Sequence, residues 1–243
     1  TTQVQAAGSL KLQYHEVNMN LNSGSGDVSS ANNILTTSTI TEQVCATYHN
    51  NGVDIWLVVH EYGTNHFMSF LVTSSGINLT PVISSTGPSH SSSTSNFNAR
   101  GEIKFSPDGS KLAFNGNGEA GNDATNILCL LDFDNITGIL SNPIDLPFSR
   151  GEFGLSFSPD NTKLYGTTWK ALMFTLSDYN YLYQFDLTSG DSSTIVNSKE
   201  IIDSMVVPYS YGTLKIGPDA KIYVRYLGTD FLGVINSPNQ LGV

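Results

Sequence analysis

The sequence predicts an all-β propeller. Three observations carry that prediction: a proline corner written three times, a second hairpin in every complete unit, and a repeat of about fifty residues without helical periodicity. The corner stands in "GEIKFSPDGSKLAF" (101–114), "GLSFSPDNTKLYG" (154–166) and "GTLKIGPDAKIYV" (212–224). Pro107, Pro159 and Pro218 lie 52 and 59 residues apart. Each copy sets two short alternating apolar runs around a turn. Proline supplies the φ of the turn's second position, and Asp followed by Gly or Asn tolerates the tight backbone beyond it. Such a stretch is a β-hairpin with a stiff turn.

Taken in chain order, 1–40 holds the two outer strands of a blade, "LKLQYHEVNMNL" and "NNILTTSTI". Residues 41–95 make the first full blade. Its inner hairpin is the diverged copy "HNNGVDIWLVVH", with Asn51-Gly52 at the turn, and its outer hairpin is "FMSFLVTSSGINLTPVI". Residues 96–150 make the second, whose outer hairpin "NILCLLDFDNITGILSNPIDL" turns at Asn135 to Gly138. Residues 151–207 make the third, with "YLYQFDLTSGDSSTIV" turning at Thr188 to Gly190, and 208–243 hold three strands of another. From Gly101 to Pro107 and from Gly212 to Pro218 the copies match without a gap, whereas the unit around Gly154 reads one residue shorter. Phe105, Leu112, Phe157, Leu164, Ile216 and Ile222 are the expected packing between blades. The mid-blade start reads as part of a larger ring. The lack of an initial Met or a basic-then-apolar leader fits a mature or trimmed product.

Composition narrows the function. Net charge is −10 with only 11 Lys plus Arg, so the basic footprint that nucleic acid or an anionic membrane requires is missing. There is no 18-residue apolar span, so no membrane insertion is expected. Cys45 and Cys129 stand in apolar runs and in no metal-type spacing. They read as buried small hydrophobes, with a single disulfide as the alternative.

The ordered motifs "YHEVNMNLNSGSGDV", "HNNGVDIWLVVHEY", "GEIKFSPDGSKLAF", "LSFSPDNTKLYG", "LYQFDLTSG" and "VINSPNQLG" resemble the propeller region of large Bacteroidetes surface proteins. Those are type IX-secreted and gliding-motility-associated. More distantly the chain resembles WD-repeat-like and lactonase-like propellers. The resemblance implies a secreted or cell-surface module. Its partners would be other domains of the same longer polypeptide, surface proteins or secretion-system components, with carbohydrate as a ligand class.

Candidate site residues come from two further patterns. "ARGEIKF" and "SRGEFGLSF" place Arg100 and Glu102, then Arg150 and Glu152, at the start of successive inner strands. There they either grip a polar ligand at the channel face or pair between blades. The loop "TTWKALMFTLSDYNY" (167–181) adds Trp169, Phe174, Tyr179 and Tyr181 to that face. These suit stacking on carbohydrate, or folding back on their own blade. No cofactor and no metal is expected. "HEYGTNH" lacks the spacing of a zinc helix, and "DFDNITG" lacks the remaining ligands of a calcium loop. Without a nucleophile-elbow motif, the chain reads as a non-catalytic binding or scaffold module and not an enzyme. The alternatives are a structural spacer and a metal-dependent lactonase-like hydrolase using Glu102, Glu152 and Asn117.

Overall fold

A computed structural model describes residues 11–89, 99–116, 127–148, 152–168, 179–206 and 209–242, with the backbone alone at 152–153. Strands β1 (Leu12–Asn18) and β2 (Asp27–Thr36) form a two-stranded ribbon. The first sheet holds β3 (Ile40–Tyr48), β4 (Ile55–Glu61) and β5 (His66–Thr73), with β6 (Gly76–Ile77) and β7 (Val82–Ser85) both pairing with β5. The second is β8 (Ile103–Phe105), β9 (Lys111–Gly116), β10 (Ile127–Asp134) and β11 (Ile139–Asp145). The third is β12 (Glu152–Phe157), β13 (Lys163–Thr168), β14 (Tyr179–Asp186) and β15 (Glu200–Val206), with helix α1 (Ser192–Asn197) before its last strand. The fourth is β16 (Ser210–Ile216), β17 (Ile222–Leu227) and β18 (Leu232–Ile235). Every pairing is antiparallel, and the four sheets are arranged as the blades of a propeller. The inner strands neighbour one another in chain order, β3 with β8, β8 with β12 and β12 with β16.

The proline corners join the two innermost strands of the second, third and fourth blades. In the second, Ser106 donates its hydroxyl to Asp108 (2.6 Å) and accepts the N–H of Lys111 (2.9 Å). Ser158, Asp160 and Lys163 repeat this at 2.7 and 2.9 Å. The residue after the Asp takes a left-handed backbone in all three: Gly109 (φ 70°), Asn161 (φ 67°) and Ala220 (φ 58°). Lys111 then reaches across the sheet to Asp132 (2.8 Å) and Lys163 to Asp186 (3.1 Å).

Alternation along each strand sends one apolar set to the preceding blade and one to the next. Ile103, Phe105, Leu112 and Phe114 meet Trp56, Val58 and Phe67 of the first blade. Leu155, Phe157, Leu164 and Phe185 meet Ala113, Leu128 and Leu130 of the second. Leu214, Ile216, Ile222 and Val224 meet Tyr165 and Leu182 of the third. Each such side chain, once buried, contributes about 1.5–3 kcal/mol. The ribbon closes over the first blade through Leu12, Leu35, Ile40, Val59, Met68 and Phe70. Cys45 and Cys129 are free thiols in one core cluster.

One element differs from expectation. The run "DSSTIV" that completes the third outer hairpin in sequence is α1, and the fourth strand follows it at 200–206. Asp191 caps the helix, accepting the N–H of Thr194 (2.8 Å) and the hydroxyls of Ser193 (2.7 Å) and Thr194 (2.8 Å). Ile195 is fully buried in the core between the second and third blades. A satisfied cap and one apolar anchor outweigh the strand preference of Thr, Ile and Val.

Candidate functional site

The starts of the inner strands converge at one mouth of the channel, and their register is set by the corners. Counting back five residues from each proline reaches Glu102, Gly154 and Thr213. The pairings Ile103–Phe114, Leu155–Gly166 and Leu214–Val224 confirm that these three positions are equivalent. The unit around Gly154 is therefore not one residue shorter. The echo of Arg100-Gly101-Glu102 in Arg150-Gly151-Glu152 is out of register by two residues. Glu152 sits opposite Thr168 at the beginning of β12, ahead of the position Glu102 occupies.

Glu102 has a defined environment. Its Oε2 accepts the N–H of Leu155 in the third blade at 2.8 Å, and Lys104 lies 3.6 Å from the same oxygen. The Thr213 hydroxyl of the fourth blade donates to Oε1. One carboxylate thus fastens three sheets and satisfies an edge N–H of an inner strand. Its own backbone N–H is held by Asn115 Oδ1 (2.7 Å), as the N–H of Gly154 is held by Thr167 Oγ1 (2.9 Å). The Thr167 hydroxyl in turn donates to Gly212 O (3.1 Å). Gln43 of β3 donates to Asn115 O, which ties the first blade to the second.

Beside this staple stands a pair of opposite charges. Burial pushes the Glu42 carboxyl above its usual range, against the pull of the Arg100 guanidinium and the Gly101 N–H. Gly101 lies between them at φ 136°, and a Cβ there would collide with Asn115. Arg100 is exposed. A partly buried acid and an exposed cation on neighbouring blades can together orient an oxygen-rich ligand.

On the same face, at the start of the third strand of the third blade, Tyr179 and Tyr181 stack with ring centroids 6.4 Å apart and 27° between planes. Tyr181 continues to Tyr183 (5.5 Å), and Tyr183 to Phe148 (5.0 Å). Lys199 lies 4.2 Å above the Tyr183 ring. Tyr179 is 43% exposed while Tyr183 is buried, so the ladder runs from solvent into the core.

The remaining sequence candidates divide simply. Arg150, Trp169, Phe174 and Asn117 lie outside the described residues, as does the Glu152 side chain. Sequence reasoning passed over Glu42, Gln43, Asn115, Thr167 and Thr213; the signal that finds the last is the distance to the proline. His66 pairs with Glu61 (2.9 Å), and His60 packs against Phe67 and Phe114. Among the described residues no three His, Cys, Asp or Glu side chains form a group able to hold a metal ion. Both oxygens of Glu102, a metal ligand only in the alternative hydrolase reading, already accept hydrogen bonds from protein groups.

No family model matches the chain, and no curated protein matches it. Solved structures do. A periplasmic gluconolactonase of Pseudomonas aeruginosa superposes with a TM-score of 0.52 at 14% identity, covering 95% of this chain and 61% of that one. A candidate 6-phosphogluconolactonase from Bacteroides uniformis does so with 0.50 at 12% identity, covering 94% and 63%. An oligogalacturonate lyase in complex with manganese gives 0.50 at 14%, covering 97% and 60%. The chain spans about three fifths of each. These likenesses show the β-propeller fold. They also correct the expectation that the chain is not an enzyme, since structures named for lactonase and lyase activity share its architecture. The physical reason is that a propeller gathers polar groups at its channel from separate strands. A missing contiguous nucleophile motif therefore says nothing against catalysis.

Proposed function

We propose that the chain is a ligand-binding propeller whose channel mouth takes a polar, hydroxyl-rich molecule such as a sugar or sugar acid. The observation that carries this is the Glu42–Arg100 pair flanking Gly101, set on the face that also bears the Tyr179–Tyr181 stack. A guanidinium supplies a forked donor for carboxylate or hydroxyl oxygens, and tyrosine faces supply stacking for sugar rings. Titration calorimetry with gluconate and galacturonate tests it. Arg100→Ala is expected to weaken binding about tenfold, and equal affinity of both proteins would refute the reading.

A second reading, ring-opening hydrolysis of a sugar lactone, is favoured by the raised carboxyl of Glu42. In it water adds to the acyl carbon, the ring carbon–oxygen bond breaks, and Glu42 relays a proton to the departing oxygen. No step is assigned to a metal. Acid release from glucono-1,5-lactone above the buffer rate, lost in Glu42→Gln, is the expected result. The setting proposed with either reading is a larger secreted or surface protein. Support for it is the sequence resemblance, and recovery of the native protein only from cytosol would overturn it.

A further inference from the structure

A cleft lies between the third and fourth blades. Its volume is about 260 Å³, room for roughly nine water-sized groups. The walls are apolar: Leu182, Ile202, Val224, Val234 and Ile235. At one side the cavity is polar, with Tyr226, Asn236, Ser237 and a single charged residue, Asp203.

Asp203 differs from Asp132 and Asp186. Asp132 and Asp186 each pair with a lysine across their sheet. Among the described residues Asp203 has no cation partner; it accepts the neighbouring Ser204 N–H (2.8 Å), and the phenols of Tyr211 and Tyr226 stand against the same carboxylate. It lies exposed on β15, in register with Leu182. Two tyrosines stand by it. Tyr211 is fully buried. Burial and then the Asp203 carboxylate push its phenol up, and the same two causes act on Tyr226. Both rings therefore stay neutral. Tyr211, Tyr226 and Phe231 pack edge to face, with centroids 5.5 and 5.7 Å apart.

We infer that this cleft binds a compact organic cation, an ammonium group on a short apolar body, with the charge at Asp203 and the body between Ile202, Val224 and Val234. A carboxylate without a cation partner, beside neutral phenol rings, attracts an ammonium, and the apolar walls reject a hydrated metal ion. The inference is independent of the channel-mouth reading.

Hexylammonium chloride and n-hexanol serve as probes, measured by calorimetry and by mapping of amide shifts on the full chain. Saturable hexylammonium binding at least tenfold tighter than n-hexanol is expected, with shifts confined to β14, β15, β17 and β18. Asp203→Asn should remove that tenfold preference while n-hexanol binding stays as it was. Val234→Trp, filling the cleft, should abolish both. Equal affinity for the two probes, an unchanged preference in Asp203→Asn, or shifts centred on the channel mouth would overturn it. Because Asp203 is exposed, its variant is expected to melt with the parent protein, and the melt is the control for folding.

Discussion

In the second blade the corner at 106–111 is wedged between neighbours; in the fourth the turn at 218–220 is open to solvent. Around the first, Thr47 of the preceding blade occupies the space a Cβ on Gly109 would need, and Asn161 of the following blade accepts the Asp108 N–H at 3.0 Å. The same link recurs one blade on, where Asn239 receives the Asp160 N–H (3.4 Å). The fourth corner has glycine where the others have a buried serine, and an alanine where they have Gly or Asn. Tyr223 donates to Asp219 (3.0 Å) in place of the missing hydroxyl. One backbone path therefore does two jobs. Its proline and left-handed residue make the turn, and the side chains around them decide whether the turn also joins blades.

The sharpest test of that difference is Gly109→Ala. A left-handed alanine costs about 1–2 kcal/mol, and displacing Thr47 adds overpacking of about 1–3 kcal/mol. A loss near 3 kcal/mol in urea denaturation is expected. Gly190, at φ 67° with open space around it, is the control: its alanine variant should lose only about 1 kcal/mol. Equal losses at the two positions would break the comparison.

Next comes Ser106→Gly, which gives the second corner the residue of the fourth. It removes the hydroxyl that donates to Asp108 and accepts from Lys111. A loss of about 2 kcal/mol in thermal or urea melts is expected, from one buried hydrogen-bonding group and added chain entropy.

Acid sharpens the same contrast. Burial works to raise the Asp108 carboxyl, but hydrogen bonds from Ser106 and Ser110 outweigh it and hold the group below its usual range. A carboxyl depressed on folding adds stability above its unfolded value of about 4, and that stability is lost as pH falls through the lower folded value. The urea midpoint of the parent protein should therefore drop more between pH 6 and pH 3 than that of Asp108→Asn. Parallel curves would show that the corner carboxylate contributes nothing.

The smallest effect runs the other way. Ala220→Gly relieves left-handed strain at the open corner at the cost of glycine's chain entropy. A gain of about 0.5 kcal/mol is expected, read as a higher urea midpoint, and a loss there would mean the exposed corner is tied down after all.

The corners were legible because proline, aspartate and glycine dictate local backbone whatever surrounds them. The interblade core was legible from strict alternation of residues such as Leu112 and Phe114. Helix α1 was missed because Thr194, Ile195 and Val196 look like strand, although the Asp191 cap that overrides them stands in plain view. The channel mouth was half legible. Arg100 and Glu102 drew notice as a charged triplet, but the matching letters at 150–152 misled, since identity of letters does not set strand register. Asn115 and Thr167 were invisible because a buried polar residue at a strand end has no periodic mark; only the folded chain shows which N–H it serves.

Glu102 carries a dynamic consequence. Because a single anion clamps the edges of β12 and β16 from its place beside β8, the central ribbons of three sheets cannot breathe one at a time. Their amide protons should exchange with solvent as a group, and any occupant of the mouth that pulls this anion away would loosen the hub as a whole while leaving the outer strands quiet.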